Sequence, residues 1–281
     1  MENVINLLQW LLPFEWMQYH FMQNALLGVI LVCPLFGLMG TMVVNNRMAF
    51  FSDAIGHSAL TGIALGVLLG MRDPLGAMIA FSILLALGIS LIKQSARSSP
   101  DTIIGVFSST AVALGIVILS RGGGFARYAN FLIGDLLSIQ EREILLLLAV
   151  LAAVLVFWLI FFNGLLLVSI NSTLARSRGK QVRALEIAFS LLLALVVTVS
   201  IQWVGILIIS SLLVLPAAAA RNLASNMRQY HVLSLVIAVF SGISGLIMSY
   251  YWGTASGATI VLCAAIIFFV TVISRQLLQP S

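Results

Sequence analysis

Asp53 and His57 lie four residues apart inside Met48–Gly70 (MAFFSDAIGHSALTGIALGVLLG), a stretch that is otherwise apolar or small and long enough to cross a bilayer. Holding an ionisable side chain in hydrocarbon costs at least ~2.5 kcal/mol, which makes such a residue a functional candidate by default. On a helix the i, i+4 spacing puts carboxylate and imidazole on one face, where both can point at one ion. A carboxylate oxygen with an imidazole nitrogen suits a divalent transition metal better than an alkali ion or an organic solute. The pair therefore points to a metal pathway through a membrane. A plainer account stays open at this stage. Asp53 is roughly 9 Å from Arg47 by helical rise, so Ser52-Asp53 can also cap a helix near the membrane surface. His57, about 15 Å away by the same rise, is the deeper of the two.

The elements that must position this pair are membrane-spanning. Across 281 residues, 61% are hydrophobic and only 8% charged, against about 25% charged in a soluble domain. Apolar runs of roughly 20 residues recur along the chain. They predict helices near 21–44, 50–71, 75–93, 101–120, 144–168, 185–202, 204–221, 230–251 and 256–274, an all-α polytopic fold of about nine crossings in one transmembrane domain over residues 1–281. Residues 1–20, with Glu2, Trp10, Trp16 and Tyr19, lack the basic start of a signal peptide and read as an amphipathic segment at the interface. Residues 128–139 follow Gly122-Gly123-Gly124 and are too short to span, so they are expected to form a short helix on one side. Cys33 and Cys263 fall in apolar spans, where packing is their expected role. His20 and His231 fall at span boundaries and read as interfacial.

Charge orients the chain. Arg47, Lys93, Arg97, Arg176, Arg178, Lys180, Arg183, Arg221, Arg228 and Arg275 fall on one side of this topology, with Arg72, Arg121, Arg127 and Arg142 on the other. Basic residues concentrate in cytoplasmic loops, so the first group is expected inside, with the N-terminus outside. The net charge of +5 thus reports topology and gives no reason to expect nucleic acid as a partner. The longest break on the basic side is 169–186, SINSTLARSRGKQVRALE. It serves as an orienting basic loop, yet Leu174, Ala175, Val182 and Leu185 are interleaved with Arg and Lys, as expected of short helices docking on a cytoplasmic partner. Gly179-Lys180 is followed by Gln181, so the phosphate-loop pattern G-x-x-x-x-G-K-[ST] is absent and no nucleotide site is expected.

Beside the Asp53/His57 face runs a ridge of small residues at every fourth position: Ala54, Ser58, Gly62, Gly66 and Gly70. Such spacing lets helix backbones approach closely in lipid, and packing within one subunit is its expected use. Asp101 follows Pro100 and reads as an N-cap. Ser108, Ser109, Ser210 and Ser211 can back-bond within a helix and have no sequence argument as ligands. Pro216 breaks a span as hinge or mere shape. Three function classes fit a polar pair in a membrane. An ATP-driven permease and a secondary cation transporter or channel using Asp53 and His57 as a relay both remain open. An intramembrane metalloprotease would need a motif such as H-E-x-x-H, which does not occur.

Five stretches, RMAFFSDAIGHSALTGIALG, DTIIGVFSSTAVALGI, NFLIGDLL, VGILIISSLLVLPAAAAR and SGATIVLCAAIIF, resemble in order and spacing the membrane permeases of zinc/manganese-type ABC importers, from about Leu26 to the C-terminus. The resemblance implies a homodimeric permease of the bacterial plasma membrane, with ATP hydrolysed by separate cytoplasmic ABC ATPase subunits. It implies metal supplied by an extracellular or periplasmic metal-binding protein. Its cargo would be zinc or manganese, with no permanently bound cofactor. Asp53 and His57 coincide with the family's second-helix motif. The resemblance further implies that Phe131, Gly134, Asp135 and Leu136 belong to an external gate, and that the 169–186 loop, with Leu174, Ala175, Arg176, Gly179 and Lys180, couples to the ATPase. One Asp/His pair cannot fill a transition metal's coordination sphere of four or more, and a two-fold axis along the pore would supply a second pair.

Overall fold

Gly205 is a one-residue break between two helices, and its place inside the bundle decides the shape of the site. A computed structural model describes residues 15–71, 73–95, 98–122, 134 and 136–278. Among these, the helices are α1 His20–Asn45, α2 Ala49–Leu68, α3 Leu75–Ser95, α4 Pro100–Gly122, α5 Glu141–Ile170, the short α6 Ser172–Ser177, α7 Val182–Val204, α8 Ile206–Leu223, α9 Met227–Trp252 and α10 Ser256–Leu278. Each of the nine expected spans meets a helix. Eight are long and apolar enough to cross a membrane; α8, apolar over Ile209–Leu223, is the shorter ninth.

The shortness of α8 has a geometric cause. Gly40 of α1 faces the Leu213 carbonyl of α8 with no room for a Cβ. Counting rise from Gly40 to Asn45 and from Leu213 back to Gly205 puts Gly205 about 20 Å from the Asn45 end of α1, roughly halfway along that helix. The chain therefore turns within the membrane layer, at a glycine whose φ of +87° disfavours other residues. Non-helical backbone at that depth is tolerated only where protein buries it. Here the cover comes from Gly134, which packs on the backbone of Gly205 and Val204.

Gly134 thus lies at membrane depth. After Gly134 the chain forms a single 3-10 turn, Leu136–Ser138, and Leu136 and Ile139 pack on Gly28 of α1. The Asn24 amide donates to the Ile139 carbonyl at 3.3 Å. Most of the short helix expected over 128–139, including Phe131 and Asp135, lies outside the described residues.

Burial grades from centre to rim. In the central windows of α1 and α2, 67% and 72% of residues are buried, against 28% for α3, α4, α5 and α10, whose exposed Leu, Ile, Val and Phe side chains make a lipid-facing surface. With lipid as apolar as a leucine, interhelical contact must come from close packing and hydrogen bonds. A Cβ on Gly62 would lie 2.5 Å from Met78 Cα, which locks α2 onto α3. Thr61 Oγ1 of α2 donates across to the Ala111 carbonyl of α4, beside Gly115.

Local chemistry sets the helix ends. Pro100 opens α4, but the cap is Ser99, whose Oγ accepts from the Thr102 amide at 3.2 Å; Asp101 is in the first turn and is not the cap. Pro216 does not break its span, because α8 runs through it from Ile206 to Leu223. Of the N-terminal segment, residues 1–14 lie outside the described residues, while Glu15–Gln18 forms a 3-10 turn with Trp16 and Met17 buried in the core.

Candidate metal site and coupling element

α2 is buried on almost every side except one. Ser52, Ala54, Ile55, Gly56 and Ser58 to Ala64 are covered, whereas Phe50, Asp53 and His57, at i, i+3 and i+7, form an open stripe. Asp53 and His57 both lie past the first turn of a helix that begins at Ala49, so the capping account of Asp53 does not hold. His57 Nε2 stands 3.5 Å from Asp53 Oδ1, and the side chains remain 33% and 48% exposed. By helical rise Asp53 is about 6 Å and His57 about 12 Å inside the start of α2. Two polar groups thus point out of the protein at a depth where a lone chain would meet hydrocarbon.

A third residue joins them from far along the sequence. Ser210 Oγ–H donates to Asp53 Oδ1 at 3.2 Å. Ser210 lies one and a half turns below the Gly205 break, and Ile206 and Ile209 pack on Gly56 of α2. The bond orients the carboxylate and leaves its other oxygen free. The only sequence signal for Ser210 was its place in the VGILIISSLL stretch; nothing local ties it to Asp53, 157 residues away.

Among the described residues no three His, Cys, Asp or Glu side chains come together. One chain therefore offers a carboxylate and an imidazole, two donors short of a tetrahedral set. Beside the stripe, α4 packs on α2 and turns Gly105, Ser109 and Ala113, another small residue every fourth position, outward. A Cβ on Gly105 would meet nothing within 4 Å. The α2 ridge is used differently: Gly62 and Gly66 are covered by Met78, Pro74 and Ala77, and Ser58 is buried, its hydroxyl bonded to the Ile55 carbonyl at 2.8 Å. Gly70 does not belong to that ridge. It lies beyond the end of α2 with φ +71° and open space around it, so it serves the turn and no packing.

Of the residues expected at the gate, Gly134 lies on the Gly205 break and Leu136 is buried. The 169–186 stretch is mostly helical: α5 runs on to Ile170 and α7 begins at Val182, with α6 between them. Asn171 caps α6, its Oδ1 accepting from the Leu174 amide at 3.0 Å. Gly179, at φ +72°, closes it, and the Lys180 amide donates to the Ala175 carbonyl at 3.0 Å. Ala175 is fully buried, which anchors the turn, while Leu174, Arg176 and Lys180 point outward. Arg176, Gln181, Val182, Arg183 and Ile187 line an open groove beside it.

The remaining histidines stand apart. His20 is 4.0 Å from Glu141 on the surface. His231 is half-buried among Trp158, Phe162 and Tyr230, its Nδ1 2.7 Å from the Met227 carbonyl. Cys33 and Cys263 are buried and unbridged.

Residues 18–275 match the model of the ABC 3 transport family. The manganese transport system membrane protein MntC of Listeria innocua is 34% identical over 254 residues, 90% of each chain. The high-affinity zinc uptake system membrane protein ZnuB of Haemophilus influenzae is 31% identical over 261 residues, 90% of this chain and 97% of that one. Among solved structures, PsaBC from Streptococcus pneumoniae in complex with Fab superposes with a TM-score of 0.79 at 33% identity, covering 90% of this chain and 91% of that one.

Proposed function

The chain belongs to the ABC 3 transport family as a multi-pass membrane permease subunit, and from that premise we propose that it carries zinc or manganese ions inward along a pathway at the face of two identical subunits. The observation that carries the reading is the open Asp53/His57 stripe on the most buried helix. A carboxylate and an imidazole exposed at membrane depth need either water or a partner. A second copy related by a two-fold axis along the pore supplies both the cover and the missing donors. Two carboxylates neutralise the ion's charge and two imidazoles complete a four-donor set of the kind zinc accepts and manganese tolerates. The outward-facing small residues of α4 let two chains approach closely beside it.

Ion movement then follows from the elements around the pair. Metal handed over by an external binding protein enters past Gly134 and Leu136, is held by Asp53 and His57 with Ser210 orienting the carboxylate, and leaves on the basic side. ATP is hydrolysed by separate cytoplasmic subunits. The α6 turn, with its exposed Leu174 and its cationic groove, is the surface on which those subunits push, and α5 and α7, continuous with it on either side, transmit the push to the bundle. Relatives named for manganese and for zinc support the cargo class equally.

The test is metal accumulation in cells that express this chain with its ATPase and binding protein. Asp53→Ala and His57→Ala are each expected to abolish uptake of one metal while the protein still inserts in the membrane. Uptake at the wild-type level in both variants would overturn the reading.

A further inference from the structure

A cavity of about 380 Å³ opens on the basic side where the α1–α2 connection meets α3, α5, α6 and α7, and neither Asp53 nor His57 lines it. Its lining includes Asn45 and Arg47 of the α1–α2 connection, Ser90 and Lys93 of α3, and Glu186 and Ser190 of α7. Ser90 and Ser190 are buried at the floor; Arg47, Lys93 and Glu186 are exposed at the rim. Among the described residues, neither cation has a carboxylate within 4 Å, and of the two serines Ser190 donates to the Glu186 carbonyl at 2.9 Å. Two cations face one carboxylate around a polar hollow large enough for a headgroup.

The surroundings identify the plane in which this cavity lies. Spans α1 and α2 end and begin at Asn45 and Ala49, so Arg47 stands at the level where the hydrocarbon gives way to headgroups. Arg47 is also the one described non-glycine residue with a positive φ, +56°, a conformation that glycine would adopt more easily. Basic pockets between spans at this level fit phosphate headgroups.

We propose that this cavity is a phospholipid headgroup site, with Arg47 and Lys93 on the phosphate, the Ser90 hydroxyl donating to one of its oxygens, and Glu186 facing a headgroup ammonium. The lipid thereby ties the α1–α2 connection to α3 and α7. Phosphatidylethanolamine, which carries both charges, suits the rim better than phosphatidylglycerol.

The measurement is native mass spectrometry of the full chain released from detergent, titrated with phosphatidylethanolamine, phosphatidylglycerol, diacylglycerol and inorganic phosphate. Arg47→Gly removes the guanidinium and leaves a residue at ease with the backbone; it is combined with Lys93→Gln, and thermal unfolding in lipid-free detergent checks that the fold persists. The wild type is expected to hold one phosphatidylethanolamine that inorganic phosphate in large excess does not displace, and the double variant to bind it about tenfold more weakly. Ser90→Leu, which fills the floor, should do the same. Equal binding by wild type and both variants, or equal binding of diacylglycerol, overturns the proposal. So does displacement of the lipid by inorganic phosphate, which would mark a free-anion site, or by the partner ATPase, which would mark a protein contact.

Discussion

At the scale of single residues, the site depends on where the Asp53 oxygens point. Ser210 occupies one lone pair of Oδ1 and fixes the carboxylate's rotation, so its removal leaves the proposed ligand present but less well aimed. Ser210→Ala is expected to raise the metal concentration giving half-maximal uptake by about fivefold, the equivalent of one hydrogen bond of ~1 kcal/mol, with expression unchanged. Transport kinetics with saturating binding protein would read this directly, and an unchanged half-saturation would remove Ser210 from the site. Thr61→Val belongs to the same scale but to structure. It deletes the bond to the Ala111 carbonyl that joins α2 to α4 and should lower the unfolding midpoint in detergent, by an amount equivalent to ~1 kcal/mol.

At the scale of elements, two small-residue ridges have opposite uses, and substitution separates them. Gly62→Leu pushes against Met78 backbone with nowhere to yield, so α2 and α3 must part; yield and thermal stability should fall, the latter by roughly 1–3 kcal/mol. Gly105→Leu enters open space on α4, so the single chain should remain as stable as wild type. If that face covers a second copy, the same change weakens association, which cross-linking between subunits would detect as a loss of dimer. The α6 turn makes a third case. Leu174→Asp alters an exposed apolar knob on a turn anchored by buried Ala175, so membrane insertion should persist while the partner ATPase no longer co-purifies. Retained co-purification would move the docking surface elsewhere.

At the scale of the whole molecule, the proposed site is complete only in pairs. Cells making equal amounts of wild-type and Asp53→Ala chains should retain about a quarter of full uptake if random pairing produces subunits that must both be intact, and about half if each chain works alone. Titrating the expression ratio distinguishes the two curves without any structure of the dimer.

Much of this protein is written in its linear order. Nine apolar runs, eight of them of bilayer length, determine nine helices, because in lipid the backbone has almost no alternative to satisfying its own hydrogen bonds. Asp53 and His57 are legible for the same reason: a costly polar pair on one helical face stands out against a hydrocarbon background. The tertiary structure decided what depends on contacts between distant segments. Helical periodicity says that Gly62 and Gly105 each lie on small ridges, but only the packing says which ridge is spent on α3 and which is left open. No local pattern announces that Ser210 reaches Asp53 or that Gly134 packs on Gly205. Both follow from how helices cross, and crossing is set by side-chain fit between segments up to 157 residues apart, on which a one-dimensional pattern places no constraint.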